Sequence, residues 1–105
     1  MSQAFSAADS GSSITLDLGE VFEVALAENP TTAYRWHVTI TPPKAIASEG
    51  NDLQSQSKAV GAGGERHFHF RAAQAGSFEL ACLRYRAWES AASATETFKL
   101  TGVVR

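Results

Sequence analysis

The chain has 105 residues, of which 44% are hydrophobic and 19% charged, with a formal net charge of -2 and one cysteine. That length supports one domain burying roughly 65% of its unfolded surface, so a core can form without staples. Cys82 alone excludes an intrachain disulfide and a multi-cysteine zinc site. The bases form no Lys/Arg run, which removes the electrostatic footprint of a nucleic-acid binder, and no stretch reaches the roughly 20 apolar residues of a membrane span.

Residues 1–13, MSQAFSAADSGSS, are small, polar and aperiodic, and read as a flexible leader. They show no basic start followed by an apolar run, so no signal peptide is expected. The chain is then cytoplasmic, or periplasmic or secreted if a signal was removed. From Ile14 the pattern changes to a period of two, the mark of half-buried strands. Ile14, Leu16 and Leu18 alternate with Thr15 and Asp17, Phe22, Val24 and Leu26 with Glu23 and Ala25, and Tyr34, Trp36, Val38 and Ile40 with Arg35, His37 and Thr39.

A seventh, weaker strand is placed within residues 45–59, where Ile46 and Leu53 are the large apolar residues. Phe68 and Phe70 alternate with His67, His69 and Arg71; Phe78, Leu80 and Cys82 with Glu79 and Ala81; Phe98, Leu100 and Val104 with polar neighbours. Leu83 and Tyr85 fall on the opposite parity from Leu80 and Cys82, which predicts a bulge or a strand buried on both faces. The one helix-friendly run, residues 89–94, sits where a hairpin connection belongs. About seven short strands predict an all-β immunoglobulin-like sandwich over residues 14–105, with Trp36 buried in its third strand. A small barrel of the same strand number gives the same pattern.

Three connections carry more than turn chemistry. Residues 29–34, NPTTAY, combine a proline that fixes its own φ and extends Asn29 with two stiff β-branched threonines, so the loop is uncharged and preordered. Residues 61–64, GAGG, leave room for a partner's backbone to approach. Residues 86–94 place Trp88 beside Arg86 in a loop, the residue types that most often dominate interface energies. Each has a plainer reading: an Asn-Pro turn, a flexible hairpin loop, and a Trp88 folded back to cap the sandwich.

Taken in order, these three motifs resemble the chagasin family of cysteine peptidase inhibitors, whose pattern is an Asn-Pro-Thr-Thr-Gly loop, a Gly-x-Gly-Gly loop and an Arg-Pro-Trp/Phe loop. The resemblance spans residues 14–104. It implies an immunoglobulin-like domain whose loops gather at one end and plug the cleft of papain-like cysteine peptidases, reversibly and without covalent chemistry. The implied peptidase-binding residues are Asn29, Pro30, Thr31, Thr32, Ala33 and Tyr34, then Gly61, Ala62, Gly63 and Gly64, then Arg86, Ala87 and Trp88. Hydroxyls of Thr31 and Thr32 would meet the polar groups of the groove, and Trp88 would anchor. Ala33 stands where the family has glycine, which costs on the order of 1 kcal/mol if φ there is positive. Ala87 replaces the proline of the third motif.

The expected partner is thus a peptidase, not nucleic acid or a membrane, with no cofactor and a monomeric free state. The alternative function is an adhesion or carbohydrate-binding sandwich using the same loops. An enzyme would need Cys82 with His67 or His69, but Cys82 shares the register of Phe78 and Leu80 and reads as a buried, inert thiol. A metal site would need His67 and His69 joined by His37, against the commoner case of surface histidines. One feature attaches to none of these. Residues 1–52 hold seven acids and two bases, whereas residues 53–105 hold four acids and seven bases.

Overall fold

In a computed structural model, which describes residues 3–29, 32–55 and 64–105, the alternating segments form strands of two stacked sheets. In chain order they are β1 (Gln3–Ser6), β2 (Ser12–Leu16), β3 (Val21–Glu28), β4 (Tyr34–Thr41), β5 (Ile46–Ser55), β6 (Gly64–Ala72), β7 (Gly76–Arg86) and β8 (Glu96–Val104). One sheet has the order β1-β3-β6-β5 and the other β2-β8-β7-β4. The architecture is an immunoglobulin-like β-sandwich, and β2 to β8 are the seven expected strands.

The period of two decides the core. Phe22, Val24 and Leu26 of β3 and Phe68 and Phe70 of β6 face Trp36 of β4, Phe78, Leu80 and Cys82 of β7 and Phe98 and Leu100 of β8, all buried. Each such large apolar side chain contributes on the order of 2 kcal/mol by leaving water. At Gly102 the sheets leave no room for a side chain, since a Cβ would run into the carbonyl oxygen of Ile14.

The leader expected over residues 1–13 is replaced from Gln3 onward by ordered chain. β1 runs parallel to β3, and a 3-10 turn (Ala7–Asp9) then carries the chain across to β2, parallel to β8 in the other sheet. Small polar residues hide this strand from a periodicity argument. Its one large apolar residue, Phe5, packs edge-on against Phe22 at a ring separation of 6.1 Å.

The bulge expected in the strand of Leu83 and Tyr85 is also corrected. β7 keeps unbroken register with β4 through Arg86 and with β8 through Arg84. Leu83 and Tyr85 instead lie on the outer face, where Tyr85 stacks on His37 at 3.8 Å. The register shift lies in β5, between Ser48 and Gly50, with Gly50 at φ +114°. Ile46 and Ser48 precede the shift on even positions opposite Ala72 and Phe70, whereas Asn51 and Leu53 follow on odd ones opposite Phe68 and Arg66. A one-residue change of parity erases the alternation that reveals a strand.

Part of the charge asymmetry between the halves is cross-strand complementarity, although Arg84, Arg86 and Lys99 pair within the second half. Bases of β6 meet acids of β3 and β5: Arg66 with Glu28 at 2.7 Å, His67 with Glu23 at 2.8 Å, His69 with Asp52 at 2.8 Å and Arg71 with Glu49 at 2.7 Å. The two exposed pairs, His69 with Asp52 and Arg71 with Glu49, contribute little individually. His67 is the most enclosed of the imidazoles in this row. The hydrogen bond that His67 Nδ1–H donates to the Glu23 carboxylate raises its pKa from the ordinary 6.5 against an opposing desolvation, with Glu65 and Asp52 adding to the rise. A folded-state pKa above the unfolded value stabilises the fold below about 6.5 and loses that contribution as pH climbs through the folded value. Wild type should therefore exceed His67→Gln in melting temperature most in mildly acidic buffer, with the gap shrinking in alkali; a pH-independent gap would contradict this.

Candidate functional site

Strand register brings the flanks of all three expected loops to one end of the sandwich. Glu28 lies opposite Gly64 and Gly64 opposite Ser55, so β3, β5 and β6 stop together. In the other sheet Tyr34 lies opposite Arg86 and Arg84 opposite Glu96. The indole N–H of Trp36 donates to the carbonyl of Ala27 at 2.9 Å, tying the two ends to each other. Pro30, Thr31, Gly61, Ala62 and Gly63 lie outside the described residues; Asn29, Thr32, Ala33, Tyr34, Gly64, Arg86, Ala87 and Trp88 are placed.

The base of the first loop is a buried charge. Glu28 follows Phe22, Val24 and Leu26 on the inward parity of β3 and is 3% exposed. Such a carboxylate is tolerable only with a full set of donors. Arg66 supplies Nε at 2.9 Å and Nη2 at 2.7 Å, both to Oε2, and the backbone N–H of Trp36 approaches Oε1 at 3.4 Å. The remaining guanidinium reach goes to Asn51 Oδ1 at 2.7 Å. The sequence reading passed over Glu28, although a lone acid continuing an inward apolar series is a visible signal.

The described part of the first loop is closed by Thr32. Its N–H and hydroxyl donate to the carbonyl of Asn29 at 3.1 and 2.9 Å, and the hydroxyl accepts from the N–H of Tyr34 at 3.3 Å. Arg35 Nη1 donates to the carbonyls of Thr32 and Tyr34 at 2.6 and 2.7 Å. The Thr32 hydroxyl expected to face a partner is thus engaged in holding the loop. No non-glycine residue among those described has a positive φ, so Ala33 carries no left-handed strain.

The inward row of the second sheet changes character toward this end. Ile40 and Val38 of β4 lie opposite Leu80 and Cys82, whereas Trp36 and Tyr34 lie opposite Arg84 and Arg86. Arginine and aromatic groups then alternate: the Arg84 guanidinium sits 5.9 Å from the Trp36 ring centre and 6.0 Å from that of Tyr34, and Arg86 sits 5.3 Å from Tyr34 and 5.5 Å from Trp88. Cation–π contacts of this kind contribute about 0.5–1 kcal/mol each at partly exposed sites.

Trp88 itself is 69% exposed, which removes the reading that it caps the sandwich. It rides on a turn in which Glu89 N–H donates to the Arg86 carbonyl at 2.9 Å. The Glu89 carboxylate in turn takes Arg86 Nε and Nη2, each at 2.9 Å, and the Arg86 backbone N–H at 3.1 Å. These bonds hold the Glu89 carboxyl below its ordinary pKa and raise that of Arg86. Glu89 was not among the residues the sequence singled out.

The arrangement offers shape and an aromatic anchor rather than reactivity. Cys82 is fully buried, and burial pushes its thiol up to about 12, so no thiolate is available. His67 and His69 do share the outer face of β6, but His37 belongs to the other sheet, and no group of three metal-binding side chains forms among the described residues.

The family described as Chagasin family peptidase inhibitor I42 matches residues 15–101 of the chain. This protein belongs to the chagasin family. It is 30% identical to chagasin of Trypanosoma cruzi over 103 residues, covering 93% of this chain and 94% of that one. The fold is similar to that of the cysteine protease inhibitor EhICP2 of Entamoeba histolytica, with a TM-score of 0.85, 16% identity and coverage of 98% and 97% of the two chains. It is also similar to PbICP-C, solved in complex with falcipain-2, with a TM-score of 0.62, 14% identity and coverage of 100% and 90%. As a chagasin-family member the chain is a peptidase inhibitor and not an enzyme, and the ordered triple of loop motifs lies within the matched residues.

Proposed function

We propose that this chagasin-family protein inhibits papain-like cysteine peptidases by laying the loops at residues 29–34, 61–64 and 86–88 across the active-site cleft. The observation that carries the reading is an exposed Trp88 mounted on Arg86 and Tyr34, immediately beside the first loop. PbICP-C, of similar fold, was solved in complex with falcipain-2, which supports a peptidase as the partner. A papain-like cleft pairs a thiolate with an imidazolium in a groove shaped for extended peptide. An uncharged loop blocks it without stranding an unpaired charge, and its internal hydrogen bonds through Thr32 remove part of the ordering cost of binding.

Inhibition is reversible because nothing in the loops reacts. Purified protein should inhibit a papain-type peptidase competitively and tightly, with full activity recovered on dilution, and should leave serine and metallopeptidases untouched. Absence of inhibition at micromolar concentration would overturn the reading.

A further inference from the structure

The third loop lacks an obvious stiffening element in its backbone. Ala87 occupies the first central position of the turn closed by Glu89 N–H on the Arg86 carbonyl, and alanine there leaves φ free where proline would set it. Yet Trp88 extends into solvent and stays within 5.5 Å of the Arg86 guanidinium. An exposed indole on an unrestrained turn has several rotamers and turn geometries to lose on binding. If the indole is presented preordered, a group other than the residue at 87 must restrict it.

The group in position to do so is the Glu89 carboxylate. It grips both ends of Arg86: Nε and Nη2 of the side chain, and the N–H of the backbone. Two parallel N–H to oxygen contacts fix a guanidinium in plane as well as in place. The guanidinium so fixed lies within cation–π distance of two aromatic rings, 5.3 Å from Tyr34 of β4 and 5.5 Å from Trp88, so the grip couples the strand that leaves the first loop to the anchor of the third. We infer that Glu89 is a positioning residue for inhibition, a side-chain clamp that sets Arg86 against both Tyr34 and Trp88 and so holds the exposed indole in its binding orientation. It touches no partner itself. The clamp persists in mild acid, because Arg86 keeps the carboxyl ionised below its ordinary range.

The inference rests on the proposed inhibition of papain-like peptidases, and its test separates the two. In the free full-length protein, relaxation of the Trp88 indole N–H, read by NMR against the buried Trp36 indole, should report a rigid ring in wild type and a mobile one in Glu89→Ala. That measurement stands even if no peptidase is inhibited. Against papain, Glu89→Ala should raise the inhibition constant about fivefold, the size expected for freeing one or two ordered side chains, with little change in melting temperature. Two further variants distinguish positioning from a merely structural role. Ala87→Pro introduced into Glu89→Ala should recover most of the lost affinity and the indole rigidity, because proline suits that turn position. Glu89→Ala introduced into Trp88→Ala should cost nothing more, since the clamp acts only through the indole. An unchanged indole relaxation in Glu89→Ala, or an undiminished penalty in the Trp88→Ala background, overturns the inference.

Discussion

Replacing Trp88 by alanine is expected to weaken inhibition of a papain-type peptidase by about 2 kcal/mol, roughly thirtyfold, while the melting temperature stays within a degree or so of wild type. The two halves of that expectation have separate causes. The indole is 69% exposed and belongs to no part of the core, so its removal opens no cavity. What the free protein loses is one cation–π contact with Arg86, which retains its contacts with Tyr34 and Glu89. What the complex loses is a large aromatic surface that would be desolvated against the peptidase. Inhibition constants and thermal melts on the same preparations decide it. A fall in stability matching the loss of affinity would mean that Trp88 serves the fold.

Glu28→Ala has the opposite signature. Removing one member of a buried pair typically costs about 3 kcal/mol, because the other charge is left without its partner. Here Arg66 would keep only Asn51, and the Trp36 N–H would lose its acceptor. For a domain of this size the melting temperature should drop by about 10–15 °C. Affinity should fall as well, since the first loop begins at the next residue and Glu28 fixes the strand end from which it departs. Glu28→Gln retains an acceptor of the same shape and should lie between the two. A melting temperature for Glu28→Ala equal to wild type would show that the pair is not holding this end of the sandwich.

Most of the scaffold was legible in the residues. Strict alternation marks β3, β4, β6 and the first part of β7, because a strand with one buried face has no other way to write itself. One segment read only weakly and one escaped, each for an identifiable reason. β5 changes parity at Glu49 and Gly50 and carries polar Ser48 and Asn51 on the positions opposite the phenylalanines of β6. β1 is four residues at a sheet edge, held by pairing to β3 and by the single ring of Phe5. Its stability comes from neighbours more than fifteen positions away, which no local pattern records.

The loops divide in the same way. Their order, their uncharged first member and the pairing of an arginine with a tryptophan in the third can be read directly, and together they carry the resemblance to the chagasin family. Their mechanics cannot. Thr32 turns its hydroxyl into the first loop, and Ala33 avoids a left-handed backbone. Glu89 looks like any exposed acid until the turn brings it back onto Arg86.

The chain is small and mildly acidic, with a lone cysteine and charges of opposite sign in its two halves. By itself the sequence determined the period of its strands, the membership of its core and the order of its three loops, since each depends on neighbours a few residues apart. Tertiary structure alone decided where the charges meet. It laid the basic β6 between the acidic β3 and β5, buried Glu28 under Arg66 and brought Arg86 against both Tyr34 and Trp88. Those contacts join positions up to 52 residues apart or depend on a turn closing first, and only the closing of the sheets brings their charges within reach of one another.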